Sequence, residues 1–188
     1  GPGTTHVTVR FRIPPGQMGA AGDFVDTIRL RLVDLNAANA PLGDDLTASV
    51  RGTIPGRAQV NLAGSTGPFN PGPFSFAGLD FGELATGSRQ MAFVQIRATK
   101  AVTVTATSLN GGVLRRIGSS DPADAISYAL SLDGNLLALA SGAQSLPAAP
   151  PVSLDGESLP LVVELTGDPD VLPAGNYRDV VTISVVPN

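Results

Sequence analysis

Carboxylates and a single imidazole are the side chains of this chain with the greatest capacity for acid–base or metal chemistry. The 188 residues include no Cys and only one His, His6. The lack of Cys excludes a cysteine nucleophile, a thiolate zinc site and a disulfide framework. One His near the start of the chain argues against a Ser-His-Asp triad and against a multi-histidine metal site.

The acidic residues offer no recognisable ligand pattern. Three groups of them could supply oxygen ligands for calcium: Asp44-Asp45, Asp80 with Glu83, and Asp168 with Asp170. None of these groups has the spacing of an EF-hand, and solvated turn carboxylates are far more common than metal ligands. A glycosidase needs two carboxylates across a cleft, and nothing in the sequence identifies such a pair. We therefore predict no metal, no cofactor and no enzymatic activity.

Composition narrows the class of protein further. The formal net charge is −4 and the pI is about 4.8, so no nucleic-acid partner is expected. Hydrophobic residues make up 43% of the chain, which argues against disorder. No apolar run approaches the roughly 20 residues of a membrane-spanning helix.

The elements that would position any site are strands, because apolar and polar residues alternate along most of the chain. Residues 7–13 read V-T-V-R-F-R-I, which places Val7, Val9, Phe11 and Ile13 on one face. The other predicted strands are Phe24–Val33, Leu46–Val50, Ala58–Leu62, Ala92–Ala98, Ala101–Thr107, Ile126–Leu132, Leu159–Leu165 and Tyr177–Val186. The sequence thus predicts an all-β antiparallel sandwich or a jelly roll.

Turn residues separate these strands. Asn110-Gly111-Gly112 and Asp133-Gly134 are strong hairpin signals. The segment Asp121–Ala125 is the one candidate for a helical turn. Residues 64–73 and 141–151 are rich in Pro, Gly, Ser and Ala, so we predict loops at the ends of the sandwich. Phe69 in the first loop and Phe74 directly after it could form a surface-binding site.

An internal repeat relates the two ends of the chain. Residues 21–33 read A-G-D-F-V-D-T-I-R-L-R-L-V, and residues 174–186 read A-G-N-Y-R-D-V-V-T-I-S-V-V. The alternative explanation is that the similarity is general to Ala-Gly turns followed by a strand and does not indicate a repeat. We predict that residues 4–35 resemble the last two strands of a domain whose complete copy occupies residues 43–188. Asp26 and Asp179 occupy equivalent positions, where we expect them to bond turn backbone.

Three short motifs resemble those of a known family. They are Leu79-Asp80-Phe81-Gly82, Ile126–Leu130 with its Y-x-L pattern, and the closing segment Ala174–Asp179 with its terminal strand. Together they resemble the spore coat protein U domain, the pilin-type domain of archaic chaperone–usher pili, over about residues 46–188. Family members commonly carry cysteines, and this chain departs from them there. The two extra strands at the front resemble the organisation of a two-domain tip subunit.

The resemblance implies an immunoglobulin-like sandwich of the pilin type that lacks its last strand and is completed by an added one. A chaperone, and later the N-terminal strand of a neighbouring subunit, would fill the open groove. Val7, Val9, Phe11 and Ile13 are the candidate donor strand, although they could also form an ordinary strand of a truncated first domain. Tyr177, Val181, Ile183 and Val185 are the candidate acceptor edge, on one face of the terminal strand.

The expected function follows from this resemblance. We expect a secreted pilus subunit on the bacterial cell surface, reached through the periplasm, that serves adhesion or biofilm formation. Its expected partners are other pilus subunits, a periplasmic chaperone and an outer-membrane usher. The alternatives are a tip adhesin that binds an abiotic surface or a glycan, and a viral jelly-roll structural protein. Residues 1–3 resemble the remnant of an affinity tag, so the native N-terminus and any signal peptide are expected to lie upstream.

Overall fold

The computed structural model describes residues 8, 10, 12, 14, 19–67, 69 and 78–188. Alternating, β-branched sequence forms strands throughout this part of the chain, and two single turns of 3-10 helix lie at Leu139–Ser141 and Pro169–Val171. In chain order the strands are β1 (Gly22–Leu30), β2 (Val33–Asp34), β3 (Ala40–Pro41), β4 (Leu46–Ile54), β5 (Ala58–Ala63), β6 (Arg89–Ala98), β7 (Val102–Ser108), β8 (Val113–Arg116), β9 (Ala125–Leu132), β10 (Asn135–Leu137), β11 (Gln144–Ser145), β12 (Glu157–Leu165), β13 (Tyr177–Arg178) and β14 (Val181–Pro187). No helix among the described residues has the length and apolar character needed to cross a membrane.

Two antiparallel sheets enclose the hydrophobic core. The larger sheet has the strand order β13-β8-β9-β12-β6-β5, with β10 also paired to β9. The smaller sheet has the order β11-β7-β14. Alternate residues of each strand point inward, so the core is almost wholly aliphatic. Its largest fully buried side chains are Val94, Val102, Val104, Ile126, Leu130, Leu132 and Leu165.

The strand order is that of an immunoglobulin-like sandwich. In that fold, strands A, B, E and D form one sheet and strands C, F and G form the other. Here β5, β6, β12 and β9 occupy the A, B, E and D positions, and β7 and β14 occupy the C and F positions. Among the described residues no strand occupies the G position beside β14. The strand order confirms the predicted all-β sandwich and is consistent with the pilin type. It differs from the strand order of a jelly roll, which was the alternative fold.

A tyrosine fixes the corner between β12 and β14. The Tyr177 hydroxyl donates a hydrogen bond to the Pro173 carbonyl, at 2.7 Å. A Tyr near the start of strand F that bonds backbone a few residues upstream is the tyrosine corner of immunoglobulin-like domains. The corner therefore supports the assignment of β14 as strand F, independently of the strand order.

A long hairpin precedes the sandwich. β1 and β4 pair residue for residue from Gly22 with Ile54 to Leu30 with Leu46, and β2 pairs with β3 near the tip. We call residues 22–54 the hairpin arm. A hydrogen bond from Ala21 N to Thr99 O, at 2.9 Å, joins its base to the sandwich. The pairing of β1 with β4 joins residues from both predicted segments, 4–35 and 43–188. The position of the domain boundary between them stays a prediction.

The local predictions had mixed outcomes. Asp133 and Gly134 both have positive φ, 51° and 74°, and connect β9 to β10 in the predicted hairpin. The helical turn predicted at Asp121–Ala125 is wrong, because those residues form a hydrogen-bonded turn that leads into β9. Asn110-Gly111-Gly112 does turn the chain, but β7 and β8 lie in different sheets, so it does not make a hairpin.

Candidate functional site

The edge of β14 is the first part of the candidate site. β14 pairs with β7 over its whole length, from Val181 with Ser108 to Pro187 with Val102. The hydrogen bonds Leu109 N to Val180 O and Asn188 N to Ala101 O flank this ladder. Because bonded pairs alternate in an antiparallel ladder, the even-numbered residues of β14 bond to β7.

The odd-numbered residues of β14 have the opposite orientation. The main-chain N–H and C=O groups of Val181, Ile183 and Val185 point away from β7, toward the position of strand G. No strand pairs with them within the described part of the chain. Such a row of donors and acceptors is a template for pairing with another strand.

A hydrophobic groove lies beside this edge, between the two sheets. It has a volume of about 220 Å³. Its aliphatic and phenylalanine lining residues are Leu62, Leu79, Phe81, Ala92, Leu114, Leu130, Leu161, Val163, Val180, Val181 and Ile183. Pockets for drug-sized ligands are about 300–1,000 Å³, so this groove is better suited to a few aliphatic side chains than to a cofactor.

The inner face of β14 is only partly covered. Val181, Ile183 and Val185 pack against the core but are half-buried, whereas their counterparts Val102 and Val104 on β7 are each 1% exposed. An added strand beside β14 would therefore bury more of this face. The structure places these three residues of the predicted acceptor edge together.

Tyr177 does not lie with them, which corrects one part of the prediction. It belongs to β13, which pairs with β8 in the other sheet. The break between β13 and β14 falls at Asp179, whose carboxylate turns inward to hydroxyl groups of the sandwich. The terminal strand is therefore two strands in two sheets rather than one face.

A partly buried polar cluster anchors the start of β14. The Asp179 carboxylate accepts hydrogen bonds from the hydroxyls of Ser108 and Tyr128, each at 2.5 Å. It also accepts the main-chain N–H groups of Asn110, at 3.0 Å, and Val180, at 2.7 Å. The expected bond from Asp179 to turn backbone is present, and the two hydroxyl partners were not predicted. Together these bonds tie β7, β9 and β14 to one side chain.

The environment of Tyr128 shows that its hydroxyl stays protonated. Burial raises the pKa of Tyr128, and the hydrogen bond to Asp179 raises it further. A proton on the Tyr128 oxygen is required for donation to the carboxylate. The cluster is therefore a structural anchor with its donors in place, rather than an acid–base pair ready for proton transfer at neutral pH.

Asp26, the repeat partner of Asp179, has no such role. It lies in the middle of β1, opposite Val50, and within the described part of the chain its carboxylate accepts the neighbouring Thr27 N–H, at 2.8 Å. The expectation that it bonds turn backbone is wrong, because the arm continues as a strand there. The repeat in sequence does not produce a repeat in local structure.

The remaining candidate residues lie apart from the groove or outside the described residues. Val7, Val9, Phe11, Ile13 and Phe74 lie outside them. Phe69 is half-buried, and its Cβ lies within 2.6 Å of the position where a Cβ on Gly156 would be.

The loop that starts at residue 64 follows a different course from the predicted one. The Gly67 carbonyl accepts a hydrogen bond from Gln95 Nε2, at 3.2 Å, and Gln95 points to the outer face of β6. This part of the loop therefore packs on a face of the sandwich rather than at its end.

The acidic groups that were considered as ligands have local partners. Asp45 bonds Arg31 and also pairs with Arg29. Asp80 accepts Gly82 N–H and Asp168 accepts Asp170 N–H, which are ordinary turn contacts.

Two groove residues were missed although the sequence carried a signal for them. Leu79 and Phe81 line the groove on either side of Asp80. Their spacing of two residues places both side chains on the same face of an extended segment. They belong to the Leu79–Gly82 motif, which was interpreted only as a mark of family resemblance.

No protein-family model and no curated protein matches this chain. Among solved structures, it is similar to a chain of a chaperone–tip adhesin complex of CFA/I fimbriae, with 16% identity and a TM-score of 0.47 over 91% of this chain and 54% of that one. It is also similar to a chain of the CsuC-CsuE chaperone–tip subunit pre-assembly complex of archaic chaperone-usher Csu pili from Acinetobacter baumannii. That match has 13% identity and a TM-score of 0.48 over 92% of this chain and 62% of that one.

This chain therefore spans less than two thirds of each of those two chains. The immunoglobulin-like arrangement rests on the chain's own strand order and tyrosine corner. Membership of the spore coat protein U family stays a prediction.

Proposed function

We propose that this chain is a secreted structural subunit of a chaperone–usher-type surface pilus, assembled by donor-strand complementation. The observation that carries the proposal is that none of the described strands pairs with β14 at the G position, where a hydrophobic groove lies beside the strand. In this mode of recognition the main chain of an incoming strand supplies the ladder bonds and alternate side chains fill pockets. Adhesion or biofilm formation would be the role of the assembled fibre.

The dimensions of donor and acceptor match. Residues 7–13 and β14 are both seven residues long, which corresponds to about 24 Å of extended chain. Val7, Val9, Phe11 and Ile13 alternate at the spacing of the half-buried residues of β14. Full burial of four such side chains would contribute about 6–12 kcal/mol before the entropy of ordering, at about 1.5–3 kcal/mol each.

The proposed partners follow from the need to cover this edge. An uncovered edge over an apolar groove promotes aggregation, so a subunit of this kind requires a chaperone before assembly and a neighbouring subunit afterwards. The usher and the route through the periplasm to the cell surface are proposed from the family resemblance. The tip-adhesin alternative has less support, because Phe69 packs against Gly156 instead of being exposed.

A peptide of residues 5–15 tests the proposal. The acceptor is the full chain with Phe11→Asp, which weakens its own donor segment as a competitor. At a hundredfold excess over Kd, binding stabilises the fold by about 2.7 kcal/mol. For a chain of this size that corresponds to a rise in Tm of about 5–11 °C.

Two adjacent residues of β14 provide a matched pair of variants. Val185→Lys changes the inner face and is expected to abolish the peptide-induced shift. Val186→Lys changes the outer face, where Val186 is 56% exposed, and is expected to leave the shift intact. An unchanged Tm with saturating peptide, or equal loss in both variants, would contradict the proposal.

A further inference from the structure

The hairpin arm has one apolar face that the described residues leave uncovered. Its apolar side chains come from alternate positions of β1 and β4: Phe24, Ile28, Leu30, Leu46, Ala48, Val50 and Ile54. Asp26, at the middle of β1, and the glycines Gly22 and Gly52 lie on the same face. Phe24 is 50% exposed and Leu46 is 70% exposed. We call this set the arm's apolar face.

The opposite face of the arm is polar. It carries Asp23, Thr27, Arg29, Thr47, Ser49, Arg51 and Thr53, with Val25 as its one large apolar residue. A two-stranded ribbon with one apolar face is marginally stable in water on its own. A large exposed apolar surface that is bordered by polar residues is typical of an interaction site, and on this face only Asp26 interrupts the apolar residues. The sequence has therefore specified which face of the arm is to be covered.

The relief of the apolar face is self-complementary. Three of the five ladder pairs on this face join a large residue to a small one: Phe24 with Gly52, Ile28 with Ala48, and Ile54 with Gly22. The other two pairs are Asp26 with Val50 in the middle and Leu30 with Leu46 at the end toward the tip, where leucine would meet leucine. Suppose that a second arm faces the first about a two-fold axis parallel to the strands. Each β1 residue of one copy then lies over a β4 residue of the other copy, and this β4 residue has the same number as the one that pairs with it in its own ladder. Phe24 then enters the space above Gly52 of the second copy, and Ile54 the space above Gly22.

Charge selects this axis over the other two-fold arrangement. Asp26 and Val50 form the middle pair of the nine-residue ladder. An axis across the strands would place the two Asp26 side chains against one another, and like charges in direct opposition are unfavourable. The axis parallel to the strands places Asp26 over Val50 and keeps the two carboxylates apart.

We propose that the hairpin arm pairs with the arm of a second copy of this chain, apolar face to apolar face, about a two-fold axis parallel to the strands. Such an isologous contact closes at two chains. The face measures roughly 30 by 10 Å, from about 3.4 Å per residue and about 4.8 Å between strands. Because a standard interface buries about 800 Å² per partner, the isolated pair is weak. Proximity of two chains in a larger assembly would strengthen it.

Sedimentation velocity of the full chain over a concentration series tests this pairing. Saturating peptide of residues 5–15 occupies the β14 edge during the measurement, so that strand addition does not contribute to association. We expect a reversible monomer–dimer equilibrium that persists with the peptide. A chain that stays monomeric up to about 1 mM, where binding is only about 4 kcal/mol, would overturn the proposal without affecting the proposed function.

The variant Gly52→Leu distinguishes pairing that depends on complementary shape from non-specific hydrophobic association. A Cβ at Gly52 meets no heavy atom within 4 Å and the backbone there is compatible with a side chain, so the monomer tolerates the change. The added side chain fills the space that Phe24 of the second copy would enter. We expect dimerisation to weaken at least about tenfold, the equivalent of about 1.4 kcal/mol. Equal or tighter association would refute the interlock, because a merely apolar surface gains area from Leu.

Two aspartates on opposite faces provide the second comparison. Val50→Asp places a charge on the apolar face and is expected to abolish pairing. Val25→Asp places the same charge on the polar face, where Val25 is 62% exposed, and is expected to leave pairing unchanged. Equal effects of the two variants would overturn the assignment of the face.

Discussion

Asp179 holds the start of β14, the proposed acceptor strand, and its replacement by Ala is a demanding test of the site. The carboxylate accepts four hydrogen bonds, from Ser108, Asn110, Tyr128 and Val180. A hydrogen bond to a charged group contributes about 1.5–3 kcal/mol, so simple addition would give about 6–12 kcal/mol as an upper limit. Such contributions are not additive within one cluster.

A smaller cost is expected, because water can replace part of the lost bonding. Asn110 and Val180 are partly exposed, so their N–H groups can bond water. The hydroxyls of Tyr128 and Ser108 lose their acceptor, and Tyr128 is 8% exposed. An unsatisfied buried polar group costs about 1–3 kcal/mol. We therefore expect Asp179→Ala to lower the free energy of unfolding by about 4 kcal/mol.

Urea unfolding of the wild type, Asp179→Ala, Tyr128→Phe and the double variant measures this cost. Tyr128→Phe removes one of the four donors and should lose about 1–2 kcal/mol. The double variant should lose less than the sum of the two, because the hydroxyl that the first change leaves unpaired is then absent. A loss below about 1 kcal/mol for Asp179→Ala, or full additivity, would refute the anchoring role.

Two further predictions concern the rest of the sandwich. Gly156→Ala should destabilise the fold by about 1–3 kcal/mol, because φ there is +104° and the new Cβ would lie 2.6 Å from Phe69 Cβ. Gly118→Ala is its control, since φ is +83° but nothing lies within 4 Å, and an equal loss in thermal unfolding would show that Phe69 makes no contribution. Hydrogen bonds from Ser119 and Arg116 lower the pKa of Asp124, so this group stabilises the fold above about pH 4 and loses that effect as the pH falls through its folded-state pKa. The Tm difference between wild type and Asp124→Asn should therefore shrink between pH 7 and pH 2, and a constant difference would contradict this origin.

The alternating pattern was sufficient to predict most of the sandwich. The bounds of β5, β6, β7, β9 and β12 all lie within three residues of those predicted, whereas β14 begins four residues after its predicted start. Their side chains alternate between an aliphatic core and a polar surface, which is the signal that the period of a strand carries. Shorter strands such as β8, with four half-buried residues, have no such alternation and were missed.

The sequence predicted where the strands are better than it predicted which strands pair with one another. The predicted strand at residues 24–33 exists, but nothing in its pattern indicates that it pairs with β4 in an exposed arm. Residues 21–33 and 174–186 are similar in sequence, but the carboxylates of Asp26 and Asp179 have different hydrogen-bond partners. That difference arises from the hydroxyls of Ser108 and Tyr128, which are distant in sequence and approach Asp179 only in the folded sandwich.

The position of β14 along the chain could be predicted from the sequence, but its place at the edge of the smaller sheet, as the described residues show it, could not. An apolar, alternating terminal strand is compatible with either a central or an edge position. The strand order β11-β7-β14 is what leaves the G position vacant among the described residues. The identity of the donor stays a prediction, because Val7, Val9, Phe11 and Ile13 lie outside them.

Hydrogen exchange of the β14 amides, resolved by NMR, tests the open edge most directly. In the Phe11→Asp chain without peptide, we expect rapid exchange at Val181, Ile183 and Val185, whose N–H groups point away from β7. Thr182 and Ser184 should exchange slowly because their N–H groups bond to β7. Addition of the peptide of residues 5–15 should protect the three odd-numbered amides and leave the even-numbered ones unchanged. Protection of all five amides before the peptide is added, or no new protection at saturation, would contradict strand addition at β14.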